Sequence, residues 1–326
     1  MTPAPELVQR FKADLERLIG TPDRLGIAVS GGPDSLALLL LATAAVPGQV
    51  EVATVDHNLR AESAGEAAFV ADICGDLGCP HSTLDVVVPN RKAGLQAEAR
   101  RARYAALAGW ALERGINVLL TAHHADDQTE TLLMRLQRGS GIGGLAGVRA
   151  VRAEGALRIV RPLLGWTKAE LEAVVADAGL IAVDDPSNRD TRFDRAAMRG
   201  FLAANPQFEA KRLARTAAAL AEAEEALDWY ARRLFNERCR KEGGEWRIDP
   251  EGLPRELKRR LLRLVIARLH EAHSLTPAWA GSEDVEGLLT ALERGEAATL
   301  SGVAARGGSL WRLYPAPPRR SVSKAS

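Results

Sequence analysis

The stretch Leu25 to Leu41, LGIAVSGGPDSLALLLL, constrains this chain more than any other. A short apolar run, Leu25 to Val29, stops at Ser30-Gly31-Gly32-Pro33-Asp34-Ser35, and a long Leu/Ala-rich run follows at once. Ile27 and Val29 suit a buried strand, and the second run is long enough for a helix. Two glycines let the turn adopt positive φ and bring its backbone close to a ligand. Pro33 presets φ for a first helical turn, and Asp34 complements the helix dipole. A strand, a glycine turn and a helix start in that order present N–H groups to an anion, with nucleotide phosphate the expected occupant. No Lys follows the glycines as in a Walker A loop, and the GxGxxG dinucleotide fingerprint is absent. SGGPDS instead is similar to the PP-loop of enzymes that cleave ATP to AMP and pyrophosphate.

Strand and helix patterns alternate from there. A lead-in helix is expected over 5–19, strands at Val50 to Val55, Leu84 to Val88 and Asn117 to Thr121, and one more over Arg158 to Leu164. Helices are expected over Ser63 to Leu77 (with Ser63 and Glu66 as a capping box), Leu95 to Glu113, Asp126 to Arg138 and Lys168 to Ala178. The Gly-rich segment after Gly139 is too apolar for a plain linker, and Asp184 to Asn188 reads as a turn. This order argues for an α/β fold with a doubly wound, mainly parallel sheet. Ligands of such sheets lie beyond the carboxyl ends of the strands. There Ser30 to Ser35, Asp56 to Arg60 and His123 to Gln128 converge, so Asp56 joins the loop as a nucleotide-binding candidate.

Asn205-Pro206 closes the first half, giving a nucleotide-binding domain over 1–205 and a smaller, mostly helical domain over 206–326. The second half opens on an amphipathic helix, Arg212 to Arg240, followed by helices at Leu257 to Leu269 and Val285 to Leu292. The tail from about Pro315 has the composition of a disordered end. A net charge of +1 gives no global attraction to nucleic acid or membrane, so any such partner must be argued from local patches. The N-terminus has early acidic residues and no apolar core of a signal peptide, and Leu36 to Leu41 is too short to span a bilayer. Three cysteines without a CxxC pair fit a reducing compartment, and a cytoplasmic protein without a metal at Cys74 and Cys79 is expected.

His123-His124-Ala125-Asp126-Asp127-Gln128 opens a helix at a strand end. Adjacent histidines cannot easily face one ion, unlike the i, i+4 pair of HExxH. Magnesium prefers oxygen ligands and substrate phosphates, so Asp34 or an Asp of this cluster is the candidate ligand. Asp127 and Glu130 share a helix face and can receive an ammonium group. Arg255, Lys258, Arg259, Arg260 and Arg263 form a basic stripe suited to RNA phosphates. Trp229, Tyr230 and Trp246 could stack bases, but aromatic residues on helix faces are more often core, and that reading is preferred.

TAHHADDQTETLLMRLQRGSG, taken with SGGPDS, VDHNLRAESAGEAAFV, GLQAEARRARYAAL and RPLL…DDPSNRDTRFDRAAMR, resembles the tRNA(Ile)-lysidine synthetase family over roughly residues 20 to 202. The resemblance implies ATP-dependent ligation of L-lysine to C2 of the wobble cytidine of a CAU-anticodon isoleucine tRNA, with Mg²⁺. It implies that Ser30, Gly31, Gly32, Pro33, Asp34 and Ser35 hold ATP, with Asp34, His124, Asp127 and Arg199 acting in the chemistry. It implies further that Asp127 and Glu130 receive lysine, and that Arg100, Arg103 and Arg195 meet the tRNA. The basic stripe, through Arg259 and Arg260, makes 206–326 the expected tRNA-binding domain, and no obligate protein partner is expected. One departure is visible: Ala196 follows Arg195 where the family usually has Asn, although Arg195 and Arg199 match. A PP-loop tRNA thiolase would want cysteines near the site, a glutamine-using ligase a glutaminase segment, and a non-catalytic tRNA-binding protein no intact HHADDQ cluster. The ligase is preferred on those grounds.

Overall fold

The computed structural model describes residues 1–20, 24–56, 63–86, 95–183, 194–281 and 283–317. The first compact unit, 1–221, contains α1 (Pro5–Ile19), β1 (Leu25–Ala28), α2 (Pro33–Ala45), β2 (Val50–Asp56), α3 (Ser63–Asp76) and β3 (His81–Asp85). It continues through α4 (Leu95–Glu113), β4 (Val118–Leu120), α5 (Ala125–Gln137), α6 (Ile142–Leu145), β5 (Val151–Glu154), β6 (Leu157–Val160), α7 (Lys168–Asp177) and α8 (Asp194–Ala204). The division at 221/222 falls inside α9 (Ala210–Arg238). Of the sequence readings, 57–60, the turn at 184–188 and the residues after 317 lie outside the described residues, as does the Ser63 side chain of the expected capping box.

The sheet has the order β3-β2-β1-β4-β6-β5, parallel except for β5, which runs antiparallel to β6 at the edge. β1 lies at the centre because both its faces are covered, and Leu25 and Ile27 are fully buried. α2 packs against α1 and α7 on one face, where Phe11, Leu15, Leu38 and Trp166 join a single apolar cluster. Leu36 to Ala42 are all buried, so α2 is apolar all round and not amphipathic. Leu107, Trp110 and Ala111 of α4 form a second cluster with Ala28, Ala53 and Leu119.

Two strands differ from the sequence reading. β3 lies at His81–Asp85 on the edge of the sheet, overlapping the expected Leu84 to Val88 at Leu84 and Asp85, and 87–88 lie outside the described residues. Its His81 ring nitrogen meets the Thr54 hydroxyl at 2.9 Å. The exposed edge strand β5 has no apolar pattern to mark it.

The second unit, 222–326, contains the end of α9, β7 (Cys239–Glu242), β8 (Glu245–Ile248), α10 (Arg255–His273), α11 (Glu286–Glu293), β9 (Ala297–Leu300), β10 (Val303–Arg306) and β11 (Trp311–Pro315). The expected helices are present, and they share a core with a five-stranded antiparallel sheet of order β7-β8-β11-β10-β9. Pro315, where a disordered tail was expected to begin, pairs with Val303.

Candidate active site

β1, β4 and β6 are parallel neighbours, so the segments after them open on one edge of the sheet. After β1 the chain turns at Gly31, whose φ of +83° only glycine adopts without strain. Pro33 opens α2. The Ser35 hydroxyl accepts the Ser30 N–H at 3.1 Å and donates to the Gly32 carbonyl at 3.0 Å, so it braces the loop from inside. Ser30 stays exposed at the mouth. Asp34, in the first turn of α2, points one carboxylate oxygen at His124 and leaves Oδ1 buried without a hydrogen-bond partner. Asp56 is buried at the end of β2 and already engaged.

After β4 the two histidines take opposite characters. His124 is 5% exposed and sits among three carboxylates, with Asp126 at 3.3 Å and Asp34 and Asp127 each at 3.5 Å. Burial opposes its charge, but the close carboxylates of Asp126 and Asp34 and the field of Asp127 prevail, and its pKa rises to about 10. His123 bonds Thr121 through Nδ1 at 3.1 Å. Burial lowers its pKa to about 4; Asp127 opposes this, and Arg161, Arg100 and Arg103 add to it. The two adjacent rings are thus pushed in opposite directions, His124 towards the cation and His123 towards the neutral form.

The start of α5 is held from both sides. Asp127 accepts the His124 backbone N–H at 3.1 Å, and Asp126 accepts the Lys168 N–H at 2.8 Å, tying α5 to the start of α7. One turn on, Glu130 is 3% exposed and accepts the Arg199 Nε–H at 2.6 Å, while its Oε2 is buried without a partner. Burial raises the Glu130 carboxyl above its ordinary range and the Arg199 guanidinium works against that. Arg195 lies on α8 one turn before Arg199 and is exposed. Gln128 clamps Val148 by donating to its carbonyl at 2.8 Å and accepting its N–H at 2.6 Å, and Arg135 donates to the Gly144 carbonyl at 2.6 Å. The Gly-rich segment is thereby pinned to α5.

The sequence reading passed over Arg161. It follows β6 directly, is 3% exposed, and donates to the Arg149 carbonyl at 2.7 Å. It lies in the field of Tyr104, whose ring also carries the Arg100 guanidinium at 5.1 Å. Arg103 is half-buried on the same turns of α4. An arginine directly after a buried strand, and before Pro162, was the signal available.

The residues of the expected basic stripe in the second unit have carboxylate or carbonyl partners within that unit. Arg259 is taken up by Glu256 and Glu286, and Arg260, with an 11% exposed side chain, by Glu224, Asp228 and Glu256. Arg255 pairs with Glu286 and Glu293, Lys258 with Glu293, and Arg263 donates to the Gly281 and Glu283 carbonyls. Glu256 of α10 itself, with acids on α9 and α11, supplies those partners. Arg259 and Arg260 are thus each engaged by carboxylates of the second unit. The aromatic residues are also corrected. Trp246 packs on Phe235 with ring centroids 5.1 Å apart, but Trp229 is 64% exposed and Tyr230 44% exposed.

A braced glycine loop after the first strand, opposite a His/Asp cluster after the fourth, defines a PP-loop nucleotide-binding protein, and residues 4–205 match the family model of the PP-loop domain. A U34-tRNA thiolase from Methanococcus maripaludis shares the fold, with a TM-score of 0.54 at 14% identity over 66% of this chain and 79% of the other. The tRNA(Ile)-lysidine synthase of Zymomonas mobilis is 43% identical over 98% of this chain and 96% of its own length. That of Novosphingobium aromaticivorans is 47% identical over 96% and 94%. The chain belongs to the tRNA(Ile)-lysidine synthase family.

Proposed function

We propose that this chain uses ATP to join L-lysine to C2 of the wobble cytidine in the CAU anticodon of isoleucine tRNA, in the cytoplasm. The observation that carries the reading is the buried His124 ring, 3.5 Å from both Asp34 of the phosphate loop and Asp127, one turn from a half-paired Glu130. A cytosine carbonyl is a poor electrophile. Its O2 attacks the α-phosphorus of ATP, the α–β anhydride bond breaks and pyrophosphate leaves. The ε-amine of lysine then attacks C2, the C2–O bond breaks, AMP departs and the amine loses a proton.

Each step asks for a group this site has. The loop from Ser30 to Ser35 grips the phosphates through backbone N–H groups at the start of α2. His124, held as a cation, faces the charge that develops on the transferring phosphoryl group. The Nε–H of Arg199 is spent on Glu130, but its side chain is 43% exposed, which leaves the terminal nitrogens for the same charge. Asp127 and the unpartnered Oε2 of Glu130 receive the lysine amine and take up its proton. Arg100, Arg103 and Arg195 serve the RNA. The orphaned Oδ1 of Asp34 suits a hard cation, and among the described residues no cluster of three or more His, Cys, Asp or Glu is placed to hold a metal. A Mg²⁺ held by Asp34 and substrate phosphates fits that donor set and would neutralise departing pyrophosphate.

A sulfur-transfer reading is disfavoured, because Cys74 and Cys239 are buried thiols whose pKa values burial raises to about 12. No helix among the described residues is long and apolar enough to cross a membrane. The test is incorporation of labelled lysine into a CAU isoleucine tRNA transcript with ATP and Mg²⁺, beside a CAU methionine tRNA and the His124→Ala protein. Lysine should enter the isoleucine tRNA alone, and the variant should lose at least about a hundredfold in rate. ATP cleavage with tRNA but without lysine transfer would end the reading.

A further inference from the structure

We propose that Cys74 and Cys79 form a redox-sensitive dithiol, which a peroxide closes to a disulfide that weakens ATP binding. Helix α3 ends in a Schellman motif. The Gly78 N–H donates to the Gly75 carbonyl at 3.1 Å, the Cys79 N–H to the Cys74 carbonyl at 2.8 Å, and Gly78 has a φ of +67°. Such a motif folds its last residue back onto its first and sets their side chains against each other. Here both of those residues are cysteines, and both thiols are free. Cys74 is buried in the core cluster of the first unit, and half-buried Cys79 packs against that cluster. A single backbone hydrogen bond of this kind leaves the two Cα atoms about 5–6 Å apart, inside the ~4.4–6.8 Å that a disulfide spans.

The two sulfurs take different parts. Cys79 is the one a reagent reaches, because Cys74 is fully buried. The Cys79 sulfur attacks the peroxide, the O–O bond breaks, and a sulfenic acid and water form. The Cys74 sulfur then attacks the Cys79 sulfur, the S–O bond breaks and the S–S bond forms. The Cys74 proton leaves with the displaced hydroxide as a second water. Two thiols are oxidised and one peroxide is reduced to two waters. Burial and the field of Cys79 push the Cys74 thiol up to about 12, so alone it is inert and it reacts with a partner already held against it. Cys239, buried in the core of the second unit, has no neighbouring thiol there.

The pair touches both helices beside the phosphate loop. Val70 lies one turn before Cys74 on the buried face of α3, and a Cβ added at Gly31 would lie 3.5 Å from its Cγ2. α3 thus backs the glycine that turns the loop. The Cys79 sulfur also meets the Thr43 hydroxyl at 3.5 Å, and Thr43 belongs to α2, the helix that the loop opens. That hydroxyl donates to the Leu39 carbonyl at 2.8 Å, so the Cys79 S–H is the donor to Thr43. A disulfide has no S–H, and this tie to α2 is lost. Closing it also draws the sulfurs to about 2.0 Å, which pulls the end of α3 towards β3 and away from its packing behind Gly31.

The test treats the reduced full chain with hydrogen peroxide while it is folded. Thiol titration and peptide mass mapping should show a Cys74–Cys79 bond with the loss of two hydrogens, leaving Cys239 as a thiol. ATP affinity should fall about fivefold in the oxidised protein and recover when a dithiol reductant is added. Cys79→Ser should keep its ATP affinity through the same treatment. That variant retains every methionine, so it also separates the effect from methionine oxidation. Cys74→Ala should leave Cys79 to proceed to a sulfinic acid, and circular dichroism checks that this core substitution folds. In the wild type, a sulfinic acid at Cys79 with Cys74 still open to alkylation would overturn the pair, as would a bond through Cys79 between two copies. A Cys74–Cys79 disulfide with unchanged ATP affinity would overturn its hold on the phosphate loop. ATP binding alone is read, so the outcome stands apart from whether lysine is transferred to tRNA.

Discussion

His124 and His123 are adjacent in sequence and shifted in opposite directions, and part of the difference comes from residues far away in the chain. Asp34 arrives from the first loop, while Arg161 and Arg100 act on the other ring. The sequence made His124 the better candidate by motif, but its three carboxylate neighbours depend on β1 and β4 lying side by side. Arg161 was illegible for the same reason, since its closeness to His123 follows from β4 pairing with β6. Arg161→Met should therefore move the His123 pKa upward from about 4 by removing a like charge, read by NMR titration of the ring. Glu130 gives a second expectation at this scale. Glu130→Gln keeps the shape but removes the charge that faces both Arg199 and the amine, so the KM for lysine should rise at least about tenfold. The KM for ATP should change little. A lysine KM equal to wild type would remove Glu130 from the substrate site.

Elements with a strong apolar pattern were legible in order and type: α1, β1, α2, β2, α4 and α7 lie within a few residues of their expected spans. Their junctions were not, because these depend on single polar contacts. Glu170 is one. It closes a capping box on Thr167 and also accepts from Arg10 of α1 and from Lys211 at the start of α9. Partial burial opposes its charge, but these bonds prevail and hold its pKa at about 2 against an ordinary 4.5. A lowered carboxylate pKa stabilises the fold fully above the unfolded value and is lost as pH falls through the folded one. The tie should thus weaken between about pH 4.5 and pH 2, and Glu170→Gln should cost about 1–2 kcal/mol at pH 7 after solvent screening, vanishing near pH 2. Urea melts across that range check it. Gly147 is the other junction. Its φ is +65°, and a Cβ there would lie 2.2 Å from Oε1 of Gln128, the atom that holds Val148. Gly147→Ala should release the Gly-rich segment from α5, seen as faster amide exchange over 139–148.

At the scale of the whole molecule, the sequence showed a change of character after Pro206, yet it concealed the antiparallel sheet of the second unit. Strands of four or five residues, with exposed positions alternating along them, leave too little pattern beside α10, whose heptad-like apolar stripe dominates the composition. That stripe closes a core of its own. Leu261, Leu262, Val265 and Ile266 are fully buried in a cluster with Ile248, Trp311 and Leu313, distinct from the cluster of Phe11, Leu38 and Trp166 in the first unit. Leu262→Ala should then destabilise the second unit by about 2–5 kcal/mol, the cost of a cavity at a site that cannot collapse between a helix and a sheet. Amide exchange in β8, β10 and β11 should accelerate, while β1 and β4 keep their protection and ATP affinity holds. Equal acceleration in β1 and β4 would mean that both cores melt in one cooperative step, so that the nucleotide site draws stability from the second unit. Two separate clusters favour the first outcome, because the lost methyl contacts are all internal to one of them.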